Sequence, residues 1–198
     1  RPIVAVDVPI GLPATVGFRP CDLEAREILG ARRSCVFQAP DRALLEFAGS
    51  DYQEAQSLIA ERKAKDPNAN GVTRQTFCIL PKLKEADALL RSERYLEDWL
   101  VEVHPEVSFR EMAGIDLPKK KRAAGKSERL RLLSAEFEDV EERVETREWL
   151  RRDVAMDDRF DAYAALWSAL NFRDGSRTSR LLGDGERDGE GLLMRMAV

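Results

Sequence analysis

The sequence predicts an α/β layered domain. Two short runs, Ile3-Val4-Ala5-Val6 and Trp99-Leu100-Val101-Glu102-Val103, are largely apolar without regular alternation. That is how strands buried on both faces of a helix-flanked sheet read. The segments between and after them place apolar residues three and four apart, as amphipathic helices do. Strands and helices mix along the chain instead of segregating, which favours a layered α/β unit. With 198 residues and 43% hydrophobic content, the chain suits one domain over 1–198 and has ample material for a core.

Each element follows from local chemistry. The first strand ends at Asp7, and Pro9, Gly11 and Pro13 then force a loop that runs to Phe18. Residues 21–29 read as a short helix closed by Gly30, and residues 34–38 as a short strand. Residues 51–65 are helical, with Tyr52, Ala55, Leu58 and Ile59 at helical spacing, and stop before Pro67 and the Asn68-Ala69-Asn70-Gly71 turn. A second helix covers 73–94, with a bend expected at Pro81. Pro105 stops the strand at 99–103. Residues 114–126 form a loop with a basic run, and a long charged helix follows over 127–152. Its Leu130, Leu133, Phe137, Val140 and Val144 form one apolar stripe. The stripe is read as core-facing, with the seam of a homodimer as the alternative. A helix over 157–172, a Gly-rich loop or hairpin over 175–191 and a last strand within 192–198 complete the chain.

Composition excludes several classes. Lys and Arg total 32 against 36 Asp and Glu, a net charge of −4, and the pI near 5.3 argues against coating duplex DNA by bulk charge. A local basic groove stays open. No apolar stretch is long enough to cross a bilayer, so no membrane is expected as a partner. Cys21, Cys35 and Cys78 lack CxxC spacing, which disfavours zinc ribbons and disulfide frameworks and predicts reduced thiols in the cytoplasm. A single histidine, His104, excludes His-based metal sites within one chain. Gly125-Lys126-Ser127 ends like a phosphate-binding loop, but Lys120 stands where that motif needs glycine. No G-x-G-x-x-G occurs, and no serine lies in a G-x-S-x-G context. The chain has no initiator Met, and Asp7 interrupts any signal-like segment, so it is expected to begin part-way through its gene product.

The chemistry concentrates in carboxylates. In open α/β sheets, ligands bind outside the carboxyl ends of the strands, and both candidate strands end in acids: Asp7 on the first, Glu102 on the second with Glu106 just beyond. Each also reads as a salt bridge or loop cap. On the late helix, Asp158 and Asp161 share a face that continues through Ala162, Ala165 and Ala169, small enough for close approach to a neighbour. First-turn acids also favour the helix dipole, which accounts for Asp157 and Asp158 better than for Asp161. Clustered acids require a cation, and oxygen-only ligation suits Mg²⁺ or Mn²⁺, the ions of phosphodiester cleavage. His104 is a proton shuttle or phosphate contact, or else a structural hydrogen-bonding residue. Lys119, Lys120, Lys121, Arg122 and Lys126 form the dense basic run, either a phosphate grip or a solvated loop. No interleaved aromatic pattern for stacking single-stranded bases accompanies it.

The ordered set of segments resembles domain-of-unknown-function family 429, described as predicted RNase H-like nucleases. The leading signatures are Val6-Asp7-Val8-Pro9-Ile10-Gly11-Leu12-Pro13 and Glu102-Val103-His104-Pro105-Glu106. Between them lie Arg19-Pro20-Cys21-Asp22 with Arg26 and Gly30, the segment 34–40, and Gln75, Pro81-Lys82 and Glu85. After them come Lys120-Lys121 with Gly125 and Arg129, then Asp158 with Asp161-Ala162. The resemblance implies a ribonuclease H-like mixed sheet flanked by helices and a metal-dependent hydrolase that cleaves DNA or RNA by a two-metal mechanism. It implies Asp7, Glu102, Asp161 and His104 as catalytic residues, with Asp7, Glu102, Asp158 and Asp161 holding Mg²⁺ or Mn²⁺. Lys120, Lys121, Lys126 and Arg129 would bind the nucleic acid. The family's leading strand with its Asp-Gly motif has no counterpart here, so the sheet is expected to lack its usual first strands and expose an edge. The same lack motivates the alternative of a non-catalytic module that binds nucleic acid or a protein partner. An actin-like phosphotransferase has no matching phosphate loop.

Overall fold

The computed structural model of the chain describes residues 2–14, 17–67, 71, 73–145, 154–174, 180–183 and 185–198. Four short strands form one open sheet in the order β1-β2-β4-β3, with β1 at Val4–Val6, β2 at Leu100–Glu102, β3 at Leu181–Leu182 and β4 at Met196–Ala197. The first three neighbours run parallel and β3 returns antiparallel to β4. The two apolar runs are therefore adjacent strands, paired Val4 to Leu100, Ala5 to Val101 and Val6 to Glu102. The residues expected at 175–191 and 192–198 supply the hairpin-like β3 and the last strand β4. β1 stands at the sheet edge, with Val4 53% exposed.

Helices cover both faces. The pleat sends alternate residues to opposite sides. Ala5, Val101, Val103 and Ala197 pack with Ala165 and Phe172 of α7, Met156–Asp174. On the other face Met196 and Leu182 pack with Cys21, Ala25 and Leu29 of α1, Pro20–Leu29, while Val6 and Leu100 meet Leu90 of α3, Arg74–Ser92. The α/β layering read from the sequence is thus the observed architecture. A second core lies under α2, Tyr52–Lys65, where Ala55 and Ile59 pack on Leu80 and Leu83 of α3. Asp51 starts α2 by accepting from the backbone N–H of Gln53 and Glu54. The helix α3 continues through Pro81 without ending there. Among the described residues no helix is long and apolar enough to cross a membrane.

Three expectations need correction. Residues 34–38 form no strand: Gly30–Cys35 is a 3₁₀ segment, capped by an extended Val36. Pro105 does not merely stop β2 but opens α4, Pro105–Ala113, which Gly114 closes in the left-handed conformation at φ 66°. The long helix over 127–152 starts earlier and breaks: α5 is Ala123–Glu136, α6 is Val140–Glu145, and Phe137 between them is extended. The part expected beyond α6 lies outside the described residues. The apolar stripe nonetheless faces the core, where Leu133, Val140 and Val144 pack with Phe109 of α4 and Phe160 of α7.

Candidate functional site

The carboxyl ends of β1 and β2 open on a cleft of about 660 Å³. Asp7, Glu102, His104, Glu106, Lys120, Lys121 and Asp161 all line it. The fold gathers them from five places: the bend after β1, the end of β2, the start of α4, the basic segment before α5, and the second turn of α7.

Alternation decides which acids face which way. Val6 and Glu102 are register partners on the α1 face of the sheet, and Asp7, in the bend directly after β1, follows on the α7 side. There it shares the cleft with Asp161, whose carboxyl its charge helps to raise. Burial pushes the Asp7 carboxyl above the usual carboxylate range, while the nearby His104 and Lys120 pull it back. Asp161 is also raised, by burial first, against the pull of Lys120. Its Oδ2 accepts from Lys120 Nζ at 3.0 Å, and its Oδ1 is buried with no hydrogen-bond partner among the described residues. Burial would lower the Lys120 ammonium, but the hydrogen bond and charge of Asp161, with Asp157 and Glu106, raise it instead.

Glu102 is already satisfied. Its Oε1 and Oε2 accept from Arg19 Nη2 at 2.6 Å and Nη1 at 2.7 Å, and Oε2 also accepts from the backbone N–H of Ile10 at 2.7 Å. Arg19 in turn reaches Asp22, Nη2 to Oδ1 at 2.6 Å. This knot is buried, with Arg19 only 2% exposed. Cys21, Asp22 and Glu102 lie close enough together to suggest a metal cage, but the Arg19 guanidinium supplies the cation there. Burial pushes the Cys21 thiol up.

Glu106 is held the same way. Arg129 Nη2 donates to both its oxygens, at 3.0 and 2.8 Å, and Arg32 Nη2 lies 2.7 Å from Oε2. Arg129, expected at the substrate, is 1% exposed. Its Nη1 donates to the carbonyls of Pro118 and Gly125 at 3.0 and 2.9 Å, which ties the basic segment to the start of α5. Lys126 is exposed and outside the cleft lining. Asp158 is exposed too, and its Oδ2 accepts from the N–H of Ala155 at 3.3 Å. Asp157, one helical turn before Asp161, is the acid that approaches Lys120, at 3.9 Å.

His104 is the residue before α4. Its Nε2 lies 3.3 Å from the Cys35 carbonyl oxygen. A carbonyl only accepts, so Nε2 is the donor in this contact. The ring's Nδ1 is buried with no partner among the described residues. Among the described residues the site therefore presents two buried polar atoms without partners, Asp161 Oδ1 and His104 Nδ1, beside a carboxylate at Asp7 and the ammonium of Lys120. Oxygen donors for a hard cation are Asp7 and Asp161.

Sequence reasoning gives Arg19, which holds Glu102 from 83 positions away, and Gln75 only as parts of motifs, and it does not single out the cleft residues Phe37 and Ile79. For Arg19 the available signal is an arginine directly before Pro20 with an acid three residues on.

Residues 1–186 match the model of a family described as "Protein of unknown function (DUF429)". No curated protein and no solved structure matches the chain.

Proposed function

The chain belongs to the family described as protein of unknown function DUF429, and from that premise and the chemistry of the cleft we propose a ribonuclease H-like, Mg²⁺- or Mn²⁺-dependent nuclease that hydrolyses phosphodiester bonds of nucleic acid. The carrying observation is that one cleft at the carboxyl ends of parallel strands is lined by Asp7, by Lys120 and by Asp161, whose Oδ1 is buried and unpartnered among the described residues. Helices on both faces of a mostly parallel sheet support the fold part of this reading.

The donor set suits a hard cation. Mg²⁺ is commonly held by one or two carboxylates together with substrate phosphate oxygens, and Asp7 and Asp161 are such a pair. Glu102 and Glu106 are each saturated by arginine, so in this reading Asp7 and Asp161 would hold one ion, and Glu102 shapes the floor. When bound, the ion supplies Lewis acidity at a phosphoryl oxygen. Lys120, shared with Asp161, holds the non-bridging oxygens of the scissile phosphate, and Lys121 holds a neighbouring one. His104 Nδ1 accepts a proton or hydrogen bond from the attacking water.

The test is cleavage of labelled DNA and RNA, single- and double-stranded, with Mn²⁺, Mg²⁺ or EDTA. The expected result is metal-dependent cleavage that Asp7→Asn and Asp161→Asn each reduce by more than the ~10–100-fold that follows loss of an outer partner of a metal site. Cleavage that survives Asp7→Asn would overturn the assignment. A second reading is favoured by the Lys120–Asp161 contact of 3.0 Å, in which a built-in cation already neutralises the acid: a non-catalytic module that binds nucleic acid. It predicts binding with no turnover in any metal.

A further inference from the structure

The cleft has a second kind of lining. Phe37 is 45% exposed within it. Val36 before it is extended and 3% exposed, so alternation along this stretch buries Val36 and turns Phe37 outward. Gln75 and Ile79, four apart and on one face of α3, line the same cleft. An aromatic ring, an aliphatic side chain and an amide thus share a concave surface with Lys119, Lys120 and Lys121. Lys119 and Lys121 are exposed at its rim.

We infer that the cleft takes an unpaired nucleic-acid strand, with one base stacked on Phe37 and its flanking phosphates on Lys119 and Lys121. This rests on reading the cleft as a phosphodiester site. Three arguments select an unpaired strand. A duplex hides its base faces in the stack, so a ring at the wall of a cleft meets a base face only when that base is unpaired. The volume of about 660 Å³ lies within the range of pockets that enclose small ligands, which suits one or two nucleotides and not a double helix. Aromatic stacking beside lysines that track the backbone is how sequence-tolerant strand binding works. The basic run carries no aromatic of its own; the fold brings one to it from 82 residues earlier in the chain, at Phe37.

The experiment uses an eight-nucleotide thymidylate strand carrying one central 2-aminopurine, the same strand in a duplex, and thymidine monophosphate, titrated against the 198-residue chain in Ca²⁺ and in EDTA. The expected result is tight binding of the strand alone, with 2-aminopurine fluorescence quenched. Phe37→Ala should weaken that binding by about 5- to 150-fold, which corresponds to ~1–3 kcal/mol per stacked base, and abolish the quench. Phe37→Trp should keep both, and Leu58→Ala, an exposed apolar residue outside the cleft, should change neither. An unchanged melting temperature for Phe37→Ala excludes unfolding as the cause. Binding that Phe37→Ala leaves within twofold, equal affinity for the duplex or the monophosphate, or no strand binding at all would each overturn the inference. Metal-dependent cleavage with Phe37-independent binding removes this inference and keeps the nuclease. Phe37-dependent quenching without cleavage in any metal does the reverse.

Discussion

Asp7 is open to solvent at the cleft mouth, yet it stands near a second acid and shares its compensating cation, Lys120, with that acid. Burial raises both Asp7 and Asp161 above the usual carboxylate range. The native state therefore binds more protons than the unfolded chain at pH values between the ordinary carboxylate value, about 4, and the raised one. Stability falls as pH rises through that window and stays lower above it, so at neutral pH these two acids oppose folding. Asp7→Asn should accordingly raise the melting temperature at pH 7, by about 1–3 °C for a chain of this size once solvent screening in the open cleft is allowed for. The gain should vanish at a pH below the ordinary carboxylate value. Saturating Mg²⁺ or Mn²⁺ should raise the melting temperature of the wild type and not of Asp7→Asn. A wild type indifferent to divalent ions, or an Asp7→Asn variant less stable than it, would contradict this account. At this scale the sequence singled out Asp7, His104, Lys120 and Asp161, which the cleft does bring together. It could not show that Glu102 and Glu106 are neutralised, because their arginines lie 83 and 23 positions away and spacing says nothing about such partners.

The segment 118–122 owes its position to the helix that follows it. A Cβ on Gly125 would lie 2.2 Å from the Lys119 carbonyl oxygen and 2.8 Å from that of Pro118. The glycine thus lets the basic segment fold back onto the first turn of α5, where Arg129 clamps it. Gly125→Ala should destabilise the fold by about 1–3 kcal/mol, as overpacking does. It should also weaken strand binding by displacing Lys119 and Lys120, which a thermal melt and the same titration would detect. Full stability with unchanged affinity would show that the segment is not held this way. What reads as the end of a failed phosphate-binding motif in the sequence is a close backbone contact in the structure. Other elements were legible but misread. Pro105 and Gly114 are a first-turn proline and a closing glycine, the usual asymmetry of a helix, yet the strand before them drew attention to Pro105 only as a stop. Asp139 immediately before α6 is a helix-starting residue type that marks the break at Phe137. The 3₁₀ segment Gly30–Cys35 has no comparable signature; tertiary contacts fix it, with Val36 packed against α1 and Arg26 Nη1 donating to the carbonyls of Arg33 and Val36.

Over the whole molecule, two opposite predictions for ionic strength compete, and their sign separates local from global electrostatics. The chain carries a net charge of −4. If that bulk charge governed encounter with a polyanion, salt would screen repulsion and strengthen binding. The cleft instead gathers Lys119, Lys120 and Lys121 on one rim, while the buried acids pair with arginines: Arg19 with Glu102 and Asp22, Arg129 and Arg32 with Glu106, Arg42 with Asp87 and Asp188. Screening acts over about 10 Å at 0.1 M salt, so a phosphate at the rim feels the lysines and little of the distant acidic surface. Three phosphate contacts on a single strand give a slope of log affinity against log salt of about −2. The thymidylate strand should then bind about 20-fold more weakly at 200 mM than at 50 mM salt. Lys119→Gln and Lys121→Gln should each reduce the slope by about 0.7 without altering the melting temperature, since neither side chain is buried. A flat or rising affinity with salt would mean that the basic segment is a solvated loop, and that the strand, if it binds, is held by Phe37 and the acids' cation alone.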